Sequence, residues 1–184
     1  MGHEYCGIVE EVGSAVKSIN PGQFVIGSFA TSDNTCPNCQ YGYQSSCVQR
    51  EFMSTAQAPF VRIPLADGTL VPTPGRPPDD LLPSLLTLSD VMGTGWFAAD
   101  AANVKPGSTV VVVGDGAVGL LAVLSAKQMG AERIIAMSRQ ESRLGRICID
   151  KSARLGWRQN PGCFRVCQDL RSFLGSVLLP YGYI

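Results

Sequence analysis

An α/β chain with a β-rich first half and a closing β-α-β unit is predicted by three observations. The run PGQFVIGSF reads as a strand between turn residues, and residues 81–102 follow a helical pattern. From Thr109 an apolar strand leads into a glycine-rich turn, a helix and a second strand. These place a β-rich domain over residues 1–88, a helix carrying Asp90 and the β-α-β unit over 89–140, and a tail of different character over 141–184.

The chain opens on GHEYCGIVEEVG, which contains the single histidine, His3, followed by Glu4. Any imidazole chemistry therefore comes from His3. After the PGQFVIGSF strand comes TSDNTCPNCQYGYQSSC, a polar stretch with three of the seven cysteines. The spacing Asp33-x2-Cys36-x2-Cys39-x7-Cys47 puts four donors on one loop, a pattern suited to tetrahedral zinc closed by protein ligands and so structural rather than catalytic. A carboxylate oxygen can fill the fourth corner, although it is harder than sulfur. The alternatives are a disulfide and free thiols, and the odd cysteine total without a signal peptide argues against an oxidising compartment. Cys6, Cys148, Cys163 and Cys167 have no comparable spacing. Residues 71–80, VPTPGRPPDD, suit an irregular connection into the helical stretch 81–102.

The tetrapeptide Lys105-Pro106-Gly107-Ser108 is a turn that introduces the strand Thr109–Val113, whose apolar run predicts burial on both faces. Gly114, Gly116 and Gly119 follow in G-x-G-x-x-G spacing. The first glycine permits the tight turn, the second admits a pyrophosphate close to the backbone, and the third lets helix and strand pack. With Ala117 and Val118 they open a helix whose N-terminus would receive the phosphates. The alternative is a glycine turn that binds nothing. Val118, Leu121, Ala122 and Leu124 share one helical pattern, and Gly130 is placed to end the helix. Residues 134–137 form the next strand, which closes on Ser138-Arg139 without a carboxylate. A hydroxyl and a guanidinium there suit the 2′-phosphate of NADP, whereas NAD calls for an acidic side chain. NADP is thus favoured, with NAD possible; the alternative is that Arg139 is a solvated residue opening the next helix.

Together GHEYCGIVEEVG, PGQFVIGSF, the cysteine loop, LLTLSDVMGTGWFAADAANVKPGSTVVVVGDGAVG and the Ser-Arg strand end resemble the zinc-dependent medium-chain alcohol dehydrogenases. The resemblance covers residues 1 to 140 or so. It implies a partial GroES-like catalytic domain followed by the first β-α-β part of a Rossmann domain. It also implies hydride transfer between an alcohol and NAD(P), with an alcohol, aldehyde or ketone as the small-molecule substrate and a homo-oligomer as the assembly. By the same resemblance His3 is a catalytic-zinc ligand, Glu4 an outer or alternate ligand, and Asp90 stands where the family places its third ligand. Thr94 would lie near the nicotinamide, and Trp96 hints at an aromatic wall.

Three departures follow. Asp33 stands where the family's cysteine loop usually begins with cysteine. The family's first catalytic ligand, a cysteine accompanied by a proton-relaying hydroxyl, comes from a segment before GHE, so a sequence starting at Met1 is expected to hold an incomplete site. After Arg139 the resemblance fades, and the charge reverses: residues 1–140 carry 8 basic against 12 acidic side chains, whereas 141–184 carry 7 against 3. Within that tail Leu170, Phe173, Leu174, Val177 and Leu178 match an amphipathic helix. A shifted frame or truncated gene would explain it, as would a native divergent C-terminus. The β-α-β unit alone would leave a sheet edge and one face exposed. A non-enzymatic remnant that binds zinc and nucleotide is the competing expectation to an enzyme.

At 184 residues, 45% hydrophobic and 16% charged, the composition is that of a globular chain with a substantial core. A net charge of zero leaves no footprint for nucleic acid, and no apolar run reaches membrane-spanning length. A cytoplasmic setting is the resulting expectation.

Overall fold

The computed structural model describes residues 1–137 and the backbone of Arg165–Cys167. These fall into two compact units, Met1–Asp90 and a second that starts at Val91.

In the first unit β1 (Tyr5–Ile8), β2 (Phe24–Gly27) and β3 (Leu70–Pro72) form an antiparallel sheet in that order. The register pairs Tyr5 with Gly27, Ile8 with Phe24 and Val25 with Pro72. Phe24, Val25 and Ile26 are apolar and β-branched or aromatic, which suits the buried centre of the sheet. Phe24 and Ile26 pack with Leu85, flanked by Cys6, Leu81 and Leu82. Gly27 is required where it stands, because a Cβ there would run into the Tyr5 ring, whose hydroxyl donates to the Ser28 carbonyl at 3.1 Å. The sheet claims part of the expected irregular connection, since Val71 and Pro72 belong to β3.

Two short helices, α1 (Pro37–Gln40) and α2 (Ala66–Thr69), lie in the long β2–β3 connection. Asp67 of α2 reaches back to the β1–β2 connection. Its carboxylate accepts from the Lys17 and Ser18 amides, the latter at 2.7 Å, and from the Ser18 hydroxyl at 2.6 Å. Those bonds draw its pKa below the ordinary value, the Ser18 hydroxyl contributing most.

The expected helix over 81–102 is not continuous. A 3-10 turn (Asp79–Leu81), α3 (Leu82–Leu86) and a second 3-10 turn (Thr87–Ser89) precede α4 (Val91–Ala101), and Asp90 sits at the break with φ −150° and ψ −69°. Tertiary hydrogen bonds outweigh local helix propensity here. The Ser89 carbonyl accepts from the Phe29 amide at 3.2 Å, and its hydroxyl accepts from the Tyr5 amide at 3.1 Å. Asp90 is therefore carried by a junction and not by a helix.

In the second unit β4 (Thr109–Val113), α5 (Ala117–Gln128) and β5 (Arg133–Met137) make the expected parallel β-α-β unit, pairing Thr109 with Arg133 and Val113 with Met137. β6 (Arg165–Cys167) adds antiparallel to β5, a strand within the tail that the sequence pattern did not announce. The turn before β4 has the expected form, with Gly107 at φ +85° and a Ser108 amide to Lys105 carbonyl bond of 3.0 Å. α5 ends as its sequence predicts. Gly130, at φ +89°, and Ala131 return their amides to the Lys127 and Ala126 carbonyls, each at 3.0 Å, which is a Schellman closure.

The core of this unit joins Ala99 of α4, Val123 and Ala126 of α5, and Ile134 and Ala136 of β5, with Val110 and Val112 against them. Gly95 lets α4 approach α5, since a Cβ there would lie 2.7 Å from the Ala122 nitrogen. Expected burial of β4 on both faces is corrected: Val111 is 54% and Val113 78% exposed. Alternate residues of β4 face the helices, while nothing among the described residues covers the other side. The apolar run alone does not distinguish these cases.

Candidate metal centre and nucleotide turn

Two side-chain groups and one backbone turn carry the chemistry. The loop from Asp33 to Cys47 is shaped by residues that tolerate its bends. Asn34 and Gly42 take positive φ, and Pro37 starts α1. The Asn38 amide closes the loop on the Ser46 carbonyl at 2.7 Å, and the Ser32 hydroxyl anchors its start on the Gly68 carbonyl at 2.7 Å. The result gathers Asp33, Cys36, Cys39 and Cys47, with all four donor atoms within 4.8 Å of one another.

Cys36 Sγ lies 3.4 Å from Cys39 Sγ and 3.9 Å from Cys47 Sγ, and the three thiols are free and buried. A disulfide requires about 2.05 Å. A tetrahedron with metal–sulfur bonds of about 2.3 Å has edges of about 3.8 Å, so the spacing and donor set fit a zinc ion. The Asp33 carboxylate accepts from the Cys36 amide at 3.0 Å and the Thr35 amide at 2.9 Å, which hold its pKa well below the usual carboxylate range. Amide donors, first that of Val48, draw the Cys36 thiol down, while burial pushes Cys39 up to about 12. Burial thus works against the Cys39 thiolate, and a dication held by the quartet would favour it.

His3 and Asp90 form the second group. They are 87 positions apart and meet with Nε2 to Oδ2 at 2.7 Å, His3 half-exposed and Asp90 mostly covered. Glu4, expected beside them, does not make this a three-donor cluster: among the described residues the loop quartet is the only group of three or more metal-donor side chains. The His3 ring abuts Phe29 with centroids 5.3 Å apart, and Phe29 stacks on Phe52 at 5.8 Å and 16°. The Arg50 guanidinium lies 5.0 Å over Phe52. Nothing in the local sequence pattern of Phe29, Arg50 and Phe52 connects them to His3.

The glycine turn places Gly114 at φ +113° and Gly116 in extended backbone as the cap of α5. A Cβ on Gly119 would collide with the Gly114 carbonyl and lie 2.8 Å from its carbon. A Cβ on Gly116 would meet no protein atom within 4 Å. This open cradle at the helix start fits a phosphate. Ala117 and Val118 are exposed at the same helix end, and Thr94 and Trp96 are exposed on α4. Ser138 and Arg139, the amphipathic stretch 170–178 and Cys148 and Cys163 lie outside the described residues.

Residues 1–75 match the alcohol dehydrogenase GroES-like domain. The chain is 38% identical over 155 residues to the zinc-type alcohol dehydrogenase B of Aspergillus flavus, covering 78% of this chain and 36% of that protein. It is 33% identical over 163 residues to the NADP-dependent isopropanol dehydrogenase of Clostridium beijerinckii, covering 85% and 44%. The solved alcohol dehydrogenase from Thermus sp. ATN1 aligns with a TM-score of 0.71 and 30% identity over 79% of this chain and 44% of its own. The chain thus spans less than half the length of these relatives. Its sequence and both of its units are similar to zinc-type alcohol dehydrogenases and follow their plan, a GroES-like domain running into a Rossmann unit.

Proposed function

We propose that this chain acts in hydride transfer between a small alcohol and NADP, with zinc in two places. The observation that carries the reading is the meeting of His3 and Asp90 across 87 positions. An imidazole and a carboxylate are both zinc donors, and the half-exposed His3 side of the pair is open to a substrate oxygen. Zinc held there supplies Lewis acidity toward the alcohol oxygen. His3 and Asp90 hold and orient, Glu4 serves as the outer or alternate donor, and Thr94 stands toward the nicotinamide. The loop quartet holds the second zinc in a closed, structural role.

The nucleotide reading rests on the open backbone at Gly116 and on the start of α5, with Ser138 and Arg139 proposed to take the 2′-phosphate. The NADP dependence of the Clostridium relative supports NADP over NAD. No helix among the described residues is long and apolar enough to cross a membrane.

One observation favours a second reading, a chain that binds zinc and nucleotide without turnover: no third donor joins His3 and Asp90 among the described residues. Zinc-loaded protein assayed with NADP and a panel of small primary and secondary alcohols separates the two. NADPH formation that disappears in His3→Ala supports hydride transfer. Zinc and NADP binding without NADPH formation supports the second reading.

A further inference from the structure

We propose that Phe52 and Arg50 are positioning residues that carry the geometry of the Asp33–Cys47 loop to the His3–Asp90 pair. The proposal rests on the reading of that loop as a metal site, and it adds a role for the loop beyond holding its own fold.

The two arms that leave the loop are tied together. The Thr31 amide donates to the Glu51 carbonyl at 2.9 Å, the Glu51 amide to the Thr31 hydroxyl at 2.9 Å, and the Met53 amide to the Phe29 carbonyl at 2.8 Å. Ala30 and Phe52 form an isolated bridge between them. Thus the separation of Asp33 from Cys47, which a bound metal would fix, also fixes Phe29 against Phe52.

Side chains extend the link at both ends. Arg50 donates to the carbonyl of Ser45, inside the loop, and its guanidinium lies over the Phe52 ring. Phe52 is 61% exposed, and Phe29 and Arg50 both contact its ring. Phe29 in turn touches His3, and its amide bonds to the carbonyl of Ser89, the neighbour of Asp90. Phe29 therefore sits between the loop arms and the pair, and Phe52 and Arg50 act on the pair through it.

His3 is the only histidine of the chain, so its imidazole gives one resolved Hε1 resonance without labelling. That resonance is recorded at one pH for the zinc-containing full chain, Phe52→Ala, Arg50→Ala, the ring-preserving Phe52→Tyr, the cation-preserving Arg50→Lys, and Arg76→Ala as a control. Zinc per chain is measured in each. The expected result is a displaced His3 resonance in Phe52→Ala, a smaller displacement in Arg50→Ala, and return to the parent position in the two conservative variants, with zinc retained throughout.

The proposal is overturned if the resonances of Phe52→Ala and Arg50→Ala coincide with those of the parent and Arg76→Ala. It is equally overturned if displacement appears only in variants that have lost zinc, since the side chains then act on the metal and not on the pair. A parent chain without zinc would instead remove the metal reading of the loop, an outcome distinct from both.

Discussion

Gly119 and Gly116 lie three residues apart in one turn, and alanine at each should produce opposite phenotypes. At Gly119 the added methyl meets the Gly114 backbone, with its carbon at 2.8 Å, and neither strand nor helix can give way without disturbing the β4–α5 packing. Overpacking of this kind costs about 1–3 kcal/mol. Replacing a helical glycine by alanine returns up to about 1 kcal/mol in helix propensity. Because the collision is with backbone, the upper part of the first range applies, and the net loss should be about 1–2 kcal/mol. At Gly116 the methyl meets nothing within 4 Å and the backbone is extended, so the folding cost should be limited to about 0.5 kcal/mol for a poorer helix cap. Here the methyl occupies the space a phosphate would enter, and nucleotide affinity should fall at least tenfold, about 1.4 kcal/mol. Urea unfolding and calorimetric titration with NADP measure the two quantities on the same preparations. A Gly119→Ala protein as stable as the parent, or a Gly116→Ala protein that binds NADP equally well, would refute the reasoning.

Two further perturbations address the cofactor and the fold. Arg139→Ala should weaken NADP binding by about 1–3 kcal/mol for a lost charged hydrogen bond while sparing NAD, and equal losses would reject a phosphate role. Asp67 is lowered below its ordinary 3.8 by the Ser18 hydroxyl and by the Ser18 and Lys17 amides, so its contribution is complete above that value and is lost as pH falls through the lower folded value. Thermal melts from neutral to acid pH should show Asp67→Asn less stable at neutrality and less sensitive to acid than the parent; parallel curves would remove Asp67 from the acid limb.

What the sequence made legible was local. The glycine turn, the Gly130 helix stop and the cysteine loop each follow from residues close in the chain whose backbone or donor chemistry suits one arrangement. The pairing of His3 with Asp90 spans 87 positions, and only the family resemblance pointed to it. The break at Asp90 stayed hidden because the apolar pattern of 81–102 runs through it, whereas the bonds from Phe29 and Tyr5 to Ser89 that impose the break are tertiary. β4 misled in a related way: five consecutive strand formers read as buried on both sides, yet only Val110 and Val112 meet the core. Phe29 reaches His3 and Phe52 stacks on Phe29 through a bridge that no periodicity encodes.

The loop quartet, whose donors lie within 4.8 Å of one another, is the most completely built metal centre among the described residues. Zinc X-ray absorption on freshly purified, unchelated His3→Ala protein isolates that site from the His3–Asp90 pair. The expected spectrum has three sulfur neighbours at about 2.3 Å and one oxygen at about 2.0–2.2 Å. Cys39→Ser in the same background should lose the metal. A His3→Ala chain that carries no zinc, or one whose zinc has only nitrogen and oxygen neighbours, would contradict the assignment.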